Sequence, residues 1–351
     1  MKVTFLTHNL DSHGGYGRLT FEALRGLSKS GSEIRVLTEK ASDFPGEITI
    51  LKRGRSIFSI IKKVRNLIKD SDIIHSWDGN PYAITAFLAN IGLGKKHIIT
   101  APGAYSVQPL YRWTTKLLLT RAYKRAESII CISKYIKDEI DKVVPGVNTV
   151  VIKPGVDYKK FSGERFIPKE RFILGVGNLG RRKGYHISIP AFGKIASQVP
   201  DIKYLIAGKL DTNFHKRSLE LMKEYGIEGR VVFLGSLNDE ELKKLYLSAE
   251  LFILTSINYK HHFEGFGLVF LEAASAGLPV IGTRDNGIGD AMAENRNGLL
   301  VNQNDIDGTA LAIMKILGDQ NLKERFSNES IKFAKENSWE LMVDQYMKIY
   351  E

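Results

Sequence analysis

The sequence predicts an α/β fold with two doubly wound parallel sheets. Short apolar runs rich in β-branched residues alternate with amphipathic helical segments, which is the pattern of parallel sheets covered by helices. This alternation stops near residue 150 and starts again after residue 170. A chain of 351 residues is also too long for one ordinary hydrophobic core. Two domains of similar size therefore account for both the pattern and the length.

The first half of the chain contains six predicted buried strands. Each is short and bounded by polar residues: KVTFLTH, EIRVLT, ITIL, DIIHSW, HIIT and SIICIS. The segments YGRLTFEALRGLSKSG and PLYRWTTKLLLTRAYKRA are predicted helices, and the first of them ends at Gly31.

The second half repeats this pattern with RFILGVGN, KYLIAG, RVVFLG, LFILTS, PVIGT and GLLV as predicted strands. The helix in NDEELKKLYLSAE is expected to begin after Asn238, because Glu241 three residues later completes a capping box. Only helices are predicted after residue 302. Residues 150–170 hold two prolines and two glycines and are the predicted linker.

Composition and charge limit the class of protein. The single cysteine, Cys131, allows no disulfide within the chain, which favours a reducing compartment. No signal peptide is recognisable, and no run approaches the ~20 apolar residues of a membrane-spanning helix. We therefore expect a cytoplasmic protein, with a peripheral position at the inner membrane face left open.

The positive charge of the protein is concentrated in its first half. Residues 1–160 carry 26 Lys and Arg against 14 Asp and Glu, whereas residues 161–351 carry 24 against 25. This balance predicts either an anionic partner, such as a membrane surface, or a solvated basic surface. The segments 56–69 and 112–125 are both basic and partly apolar, so each fits a membrane-facing helix or a sheet-packing helix. Few aromatic residues are interleaved with the basic ones, which argues against nucleic acid.

HHFEGFGLVFLEAASAGLPVIG places Glu264 just before a short apolar helix and Glu272, eight residues later, in its second turn. The backbone amides near Gly267 and Leu268 would lie in the first turn of that helix and form an anion site. Glu272 could grip two adjacent hydroxyls of a sugar. A capping acid followed by a surface glutamate is the structural alternative, but Glu272 lies in a helix that is apolar almost all round.

The loop GVGNLGRRKGY follows the first strand of the second half. Its cations Arg181, Arg182 and Lys183 would neutralise a diphosphate at the anion site, or they form an ordinary exposed basic turn.

The first loop, HNLDSHGGYGR, contains Gly15 and Gly17 but fails the dinucleotide pattern, because its third glycine position is Thr20. Glu39 does stand where a dinucleotide fold needs an acid, so a dehydrogenase is weakened rather than excluded.

DIIHSWDGNP ends a strand with His75, Trp77 and Asp78. The segment fits a sugar-binding surface, on which a ring stacks against sugar, or a core histidine with a packing tryptophan. The histidines, among them His8 and His13, lack a recognisable ligand spacing, and we expect no metal.

Together these segments resemble family 4 glycosyltransferases, which are retaining enzymes with the two-domain GT-B fold. EGFGLVFLEAASAGLPVIG is similar to the E-x7-E element of that family. The resemblance extends over nearly the whole chain through HGGYGR, KPGVDYKKF, GRRKG, VVFLGSLNDEELKKLYLSAELFILTS and NGIGDAMAENRNGLLV.

The resemblance implies a role for each matching residue. Glu264 would contact the transferred sugar, Glu272 would hold the donor ribose, and Lys183 with an arginine would hold the leaving phosphate. The catalytic set is thus Glu264, Lys183 and Arg182. The other implied donor-binding residues are Gly15, Gly17, Arg181, Leu237, Asn238, Gly265, Phe266, Gly267 and Leu268.

On the acceptor side the resemblance implies His75, Trp77 and Asp78. Two positions depart from the family, which often has arginine at Asn178 and histidine at Trp77. A general-base role on the strand that ends at Trp77 is therefore in doubt.

We predict a retaining, metal-independent hexosyltransferase (EC 2.4 class) that needs no cofactor and moves a hexose from a nucleotide diphosphate sugar to a glycan, glycolipid or lipid-linked acceptor. Residues 1–158 with the helix 338–351 would form an acceptor-side domain, and residues 159–337 a nucleotide-sugar domain across a central cleft. A glycoside hydrolase using Glu264 and Glu272, or an inactive nucleotide-sugar-binding module, remains the alternative.

Overall fold

The structure is a computed structural model, and it describes residues 1–11, 14–42, 44–52 and 56–351. The chain divides into two compact units, residues 1–154 with 339–351 and residues 155–338. The predicted domain boundaries, at 158/159 and 337/338, lie within a few residues of these divisions. Each unit contains one parallel sheet.

The first unit contains a seven-stranded sheet in the order β3-β2-β1-β4-β5-β6-β7. Its strands are β1 (Lys2–Thr7), β2 (Glu33–Thr38), β3 (Glu47–Thr49), β4 (Ile73–Trp77), β5 (Lys96–Ala101), β6 (Ser128–Cys131) and β7 (Thr149–Val151). The six predicted strands are all present. The seventh, β7, lies at the start of the predicted linker, where its three residues pair with β6.

Helices cover both faces of this sheet, as doubly wound folds require. They are α1 (Gly15–Lys29), α2 (Ile57–Ile68), α3 (Ile84–Asn90), α4 (Ala104–Val107), α5 (Trp113–Arg125) and α6 (Lys134–Val143). In α2 the buried residues Ile60, Val64 and Ile68 pack in one cluster with Leu6 and Leu37 of the sheet. The apolar stripe of α2 is therefore that of a sheet-packing helix.

The second unit contains a six-stranded sheet in the order β10-β9-β8-β11-β12-β13. Its strands are β8 (Arg171–Val176), β9 (Ile202–Ala207), β10 (Val231–Gly235), β11 (Phe252–Ile253), β12 (Val280–Thr283) and β13 (Gly298–Val301). Its helices are α7 (Tyr158–Phe161), α8 (Tyr185–Ile195), α9 (Thr212–Glu224), α10 (Asp239–Ser248), α11 (Leu268–Ser275), α12 (Ile288–Ala291), α13 (Ile306–Gly318) and α14 (Gln320–Glu336). The capping box of Asn238 and Glu241 at the start of α10 is confirmed.

The last helix, α15 (Trp339–Tyr350), belongs to the first unit and packs against α1. Gly26 of α1 permits the close contact, because a Cβ there would lie 2.2 Å from Cγ2 of Val343. The Tyr350 hydroxyl lies 2.6 Å from Nδ1 of His75 in β4, and the Tyr346 ring stacks on Trp77 at 6.1 Å. The last helix thus returns to the first unit, as the family resemblance implied, and completes its aromatic core.

Among the described residues, none of the helices is both long and apolar enough to cross a membrane.

Candidate active site

Each sheet has a point at which its strand order reverses, and ligands of open α/β sheets bind outside the carboxyl ends of the strands there. In the second unit that point lies between β8 and β11. The loop after β8 carries Arg181, Arg182 and Lys183, and the segment after β11 leads to Glu264. The topology therefore brings the cationic loop and the first glutamate of the E-x7-E element to the same edge of the sheet.

Glu264 forms the centre of a buried ionic cluster. Its Oε2 accepts hydrogen bonds from Nη1 of Arg182 at 2.5 Å and from Nζ of Lys183 at 2.7 Å. The hydroxyl of Ser256, which follows β11, lies 3.2 Å from the same oxygen. The glutamate side chain is only 11% exposed, so this charge is held by its partners rather than by bulk water. The three residues predicted to be catalytic therefore lie in direct contact.

The charges of this cluster depend on one another. Burial raises the pKa of Glu264, but the positive charges of Lys183 and Arg182 outweigh burial and hold that pKa at about 2. Burial lowers the pKa of the Lys183 ammonium from its ordinary value of 10.5, and the Glu264 carboxylate opposes that change. At neutral pH Glu264 is an ionised acceptor of hydrogen bonds and carries no proton to donate.

Arg181–Lys183 form a tight 3-10 turn directly before α8. The turn ends at Gly184, which has a φ of 70°, and a Cβ at this position would lie 1.7 Å from the Thr255 carbonyl oxygen. The Thr255 hydroxyl donates to the Gly184 carbonyl at 2.7 Å. Only glycine fits this contact between the β8 and β11 loops.

Arg181 points to a different partner from Arg182. Its guanidinium lies 4.1 Å from the centroid of the Tyr259 ring, in a cation–π contact. Asn178, where the family often has arginine, accepts the Lys209 backbone N–H through Oδ1 at 3.0 Å. Arg182 is thus the arginine that shares Glu264 with Lys183.

The helix α11 begins beside this cluster. Gly267 is its N-cap with a φ of 96°, and the backbone amides of Phe266, Gly267 and Leu268 donate to no other backbone carbonyl of the described chain. Unpaired amides of this kind carry partial positive charge and suit an anion. The Glu264 carbonyl accepts the N–H of Gly287 at 2.8 Å, which ties this loop to the segment after β12.

Glu272 is buried in the second turn of α11, with 5% of its surface exposed. Its Oε2 accepts a hydrogen bond from the Tyr246 hydroxyl of α10 at 3.1 Å. The structural alternative of a surface glutamate therefore does not describe it. Leu237 is half-buried before α10, and Asn238 is exposed and caps that helix.

In the first unit the sheet order reverses between β1 and β4. The glycine-rich loop begins α1 after β1; a Cβ at Gly15 would meet no atom within 4 Å, whereas at Gly17 it would lie 1.9 Å from the Asp11 carbonyl oxygen. Gly17 is therefore a packing requirement, and Gly15 borders open space. His13 of this motif lies outside the described residues.

His75 and Trp77 of β4 are both fully buried. The His75 ring is held by the Tyr350 hydroxyl at Nδ1 and by the Thr100 hydroxyl at Nε2, 2.8 Å away. Burial holds the pKa of His75 well below its usual value of 6.5, so the ring is neutral. This is the arrangement of a core histidine with a packing tryptophan, and contact with an acceptor would require both rings to leave the core.

Asp78 follows β4 with a φ of 96°. Its Oδ1 accepts hydrogen bonds from the Gly79 N–H at 2.8 Å and from the Ser106 hydroxyl at 2.6 Å. Burial raises the pKa of the Asp78 carboxyl to about 7, although the two hydrogen bonds oppose this rise. Of the three predicted acceptor-side residues, it is the one placed beyond the end of the strand.

Within the described residues no group of three or more His, Cys, Asp or Glu side chains is arranged to hold a metal ion.

Two residues of the site were not identified from the sequence. Tyr246 contacts Glu272, and a tyrosine on the apolar face of α10 signals a buried hydroxyl that needs a partner. Ser256 contacts Glu264, and its position as the last residue of the predicted LFILTS strand was the available signal.

Comparison with known proteins identifies the family. Residues 157–333, half of the chain, match the model of glycosyl transferases group 1, and residues 13–160 match that of Glycosyltransferase Family 4. The chain is 33% identical to a D-inositol 3-phosphate glycosyltransferase of Corynebacterium urealyticum over 61% of its own length and 51% of that protein. It is 29% identical to an uncharacterised glycosyltransferase of Methanocaldococcus jannaschii over 80% of this chain and 75% of that protein.

The chain thus spans about half the length of the Corynebacterium relative that it matches. Among solved structures, Anabaena HepE in complex with UDP-glucose superposes with a TM-score of 0.81 at 17% identity, over 99% of this chain and 98% of that one. This likeness confirms the fold. With both halves matched, the chain belongs to the family 4 glycosyltransferases and has their GT-B fold.

Proposed function

We propose that the protein transfers a hexose from a nucleotide diphosphate sugar to an acceptor hydroxyl with retention of configuration and without a metal ion. The observation that carries this proposal is the buried contact of Glu264 with Arg182 and Lys183 beside the start of α11. The UDP-glucose bound by the Anabaena protein gives the class of donor, and the name of the Corynebacterium relative gives a phosphorylated cyclitol as one class of acceptor.

The chemistry requires stabilisation of negative charge on the departing diphosphate. The unpaired amides of Phe266, Gly267 and Leu268 would hold the phosphate oxygens, with the ammonium of Lys183 and the guanidinium of Arg182 close by. Glu264 would accept hydrogen bonds from hydroxyls of the transferred sugar and keep both cations in position. Glu272, oriented by Tyr246, would hold the two ribose hydroxyls. The departing phosphate oxygen would take the proton of the acceptor.

The hydrolase alternative needs a carboxylic acid that is protonated near neutral pH. The pKa of Glu264 is held at about 2 by its two cations, which favours a role as an ionised ligand. The hydrolase alternative also leaves the cationic loop and the open amides of α11 without a task.

A thermal-shift panel of UDP-, GDP- and ADP-sugars tests donor binding, with Glu272→Ala and Tyr246→Phe as variants. One donor should stabilise the wild type, and both variants should weaken its effect, because the ribose grip is lost or misoriented. Glu220→Ala is the matched control, since Glu220 is half-exposed and pairs with Arg217 on α9. A full response of Glu272→Ala to the same donor would contradict the ribose role.

Retention and metal independence need a turnover assay. The preferred donor is turned over with an acceptor or with water in the presence of EDTA. NMR then identifies the anomeric configuration of the product before a free sugar can equilibrate. Product with the donor's configuration and an unchanged rate supports the proposal. Inverted product, or a rate restored only by a divalent cation, would overturn that part of it.

We further infer that the basic first unit contacts an anionic lipid surface through α5. Trp113 is 90% exposed and Leu117 is 59% exposed on this helix. With Arg121 they are spaced four residues apart and share one face. The helix contains four basic residues and no acidic one, and a fifth basic residue is its N-cap: Lys116, Arg121, Lys124 and Arg125, with Arg112 at the N-cap. An aromatic anchor within a basic surface is typical of interfacial helices.

Vesicles test this inference directly. Trp77 and Trp339 are buried, so a blue shift of tryptophan emission on adding phosphatidylglycerol vesicles would report Trp113. Phosphatidylcholine vesicles should give no shift, and Trp113→Phe should abolish it. An equal emission shift with both vesicle types, or no shift with either, would contradict the inference.

A further inference from the structure

Three polar side chains of the first unit form a cluster that the transfer chemistry above does not use. Nδ1 of His8 lies 2.9 Å from Oε2 of Glu39 and 3.3 Å from the hydroxyl of Tyr82. Glu39 and Tyr82 are buried, with 7% and 4% of their surfaces exposed. The His8 side chain is 33% exposed. The imidazole is therefore the part of the cluster that reaches solvent.

The cluster lies where the topology predicts a ligand. His8 directly follows β1, Glu39 directly follows β2, and Tyr82 follows β4 after a short turn. The strand order of this sheet reverses between β1 and β4, so these residues border the crevice at the carboxyl ends of the two strands. The His8 carbonyl accepts the N–H of Glu39 at 3.1 Å, which fixes the two strand ends together.

The contact with Glu39 determines what the exposed side of the ring can do. A carboxylate only accepts hydrogen bonds, so Nδ1 of His8 carries the proton that this contact requires. In the neutral ring Nε2 is then an acceptor. No residue of the described chain donates to Nε2, because both hydrogen bonds of the ring involve Nδ1. The cluster thus presents one oriented nitrogen lone pair at the edge of the sheet.

A lone pair of this kind selects a donor group on the ligand. A phosphate oxygen has no proton to offer at neutral pH, whereas a hydroxyl of a sugar or cyclitol does. The imidazole is one-third exposed, which gives such a ligand access to Nε2.

We propose that Nε2 of His8 accepts a hydrogen bond from a hydroxyl of the acceptor, a neutral or phosphorylated polyol, and that Glu39 is the positioning residue that fixes the ring. This proposal rests on the proposed glycosyl transfer. In that reaction the acceptor O–H bond and the bond from the anomeric carbon to phosphate break, the new glycosidic bond forms, and the proton passes to the departing phosphate. His8 holds the hydroxyl oxygen in place and takes no proton in the net reaction.

Paired substitutions separate the two nitrogens of His8. Asparagine at this position can still donate to Glu39 but has no acceptor at the site of Nε2, whereas glutamine extends an amide oxygen toward that site. With inositol 3-phosphate as the acceptor probe and the donor that the panel selects, His8→Asn should lower kcat/KM for the acceptor by about tenfold or more, the worth of one lost hydrogen bond. This loss should appear mainly as a higher KM for the acceptor. His8→Gln should recover part of the lost kcat/KM.

Two controls distinguish a binding role from a structural one. The thermal shift produced by the donor should be the same in His8→Asn as in the wild type, because the residues proposed to hold the diphosphate and the ribose lie in the second unit. His215→Asn, which changes a ring packed edge-on to Phe233 in that unit, should leave the acceptor kinetics unaltered. Acceptor kinetics of His8→Asn equal to those of the wild type, or an equal loss for donor and acceptor, would overturn the proposal.

A binding measurement keeps the test independent of turnover. In the full chain the imidazole nitrogens of His8 are assigned in long-range ¹H–¹⁵N spectra by their loss in His8→Asn. The spectra should report a proton on Nδ1, and myo-inositol or inositol 3-phosphate should shift the Nε2 resonance. A shift of the Nε2 resonance without any sugar transfer would support polyol binding at His8 and refute the proposed glycosyl transfer. Transfer without a shift at saturating probe would refute the role of His8.

Discussion

The ionic cluster around Glu264 makes a quantitative prediction for Glu264→Gln. Its carboxylate is the shared partner of Arg182 and Lys183, at 2.5 and 2.7 Å. The fall of its pKa from 4.5 to about 2 corresponds to about 3 kcal/mol of interaction in favour of the ionised form. Glutamine keeps the shape but removes the charge and leaves a buried ammonium without its counter-ion. For a unit of this size we expect the melting temperature at pH 7 to fall by about 10 °C.

The same variant should respond more strongly to an added anion. In the wild type Glu264 neutralises part of the charge of the two cations that we propose hold the diphosphate, whereas in Glu264→Gln both cations lack that partner. Pyrophosphate should therefore raise the melting temperature of the variant by about twice as much as that of the wild type. The readout is thermal unfolding with and without pyrophosphate at pH 7. Product formation should be lost regardless of this rescue.

The pH dependence has a definite sign. The pKa of Glu264 is lower in the folded than in the unfolded chain, so its stabilising effect is complete above about pH 4.5 and is lost as the pH falls toward 2. The difference in melting temperature between Glu264→Gln and the wild type should therefore narrow as the pH falls from about 4.5 toward 2.

Glu250→Gln is the matched control for this experiment. Glu250 also pairs with two cations of the second unit, Arg171 at 3.0 Å and Lys323 at 2.6 Å. Its replacement should lower stability without changing the effect of pyrophosphate. A melting temperature of Glu264→Gln equal to that of the wild type, or an equal pyrophosphate response in both glutamine variants, would refute the reasoning.

Two further predictions concern the loops at the sheet edges. Gly184→Ala should destabilise the protein by at least about 2 kcal/mol, because its Cβ would meet the Thr255 carbonyl at 1.7 Å, whereas Gly289→Ala, with open space around it, should not; denaturant unfolding compares them. Asp78→Asn should be more stable than the wild type at pH 8 by up to about 4 kcal/mol, since a pKa raised from 3.8 to about 7 makes the buried carboxyl progressively unfavourable as the pH rises through that range. The asparagine oxygen can still accept the hydrogen bond from Ser106. Near pH 4 the difference in stability between Asp78→Asn and the wild type should disappear. Equal stabilities at pH 8 would contradict the raised pKa of Asp78.

The local pattern of the sequence was sufficient for most of the fold. All twelve predicted strands are present, because buried parallel strands are continuous apolar runs that need no distant information. The strand β7 was assigned to a linker, since three residues beside Pro154 and Gly155 carry too little signal. The E-x7-E element and the cationic loop were found because each follows a predicted strand.

Features that depend on distant contacts were not predictable. Arg181 and Arg182 are equivalent in the sequence, and their different contacts, with Tyr259 and with Glu264, separate their roles. The burial of His75 and Trp77 depends on Tyr346 and Tyr350, more than 250 residues further along the chain. No local pattern around β4 reports that a helix from so far away will cover it.

The return of α15 to the first unit has a consequence for how the protein is made. A ribosome releases residues in order, and the aromatic layer around His75 and Trp77 must wait for residues 339–350. The stretch 155–338 is contiguous and holds every strand of its own sheet before that moment. During synthesis the second unit can therefore complete its fold before the first unit does. Until residues 339–350 are released, the first unit keeps an uncovered aromatic surface that chaperones can recognise.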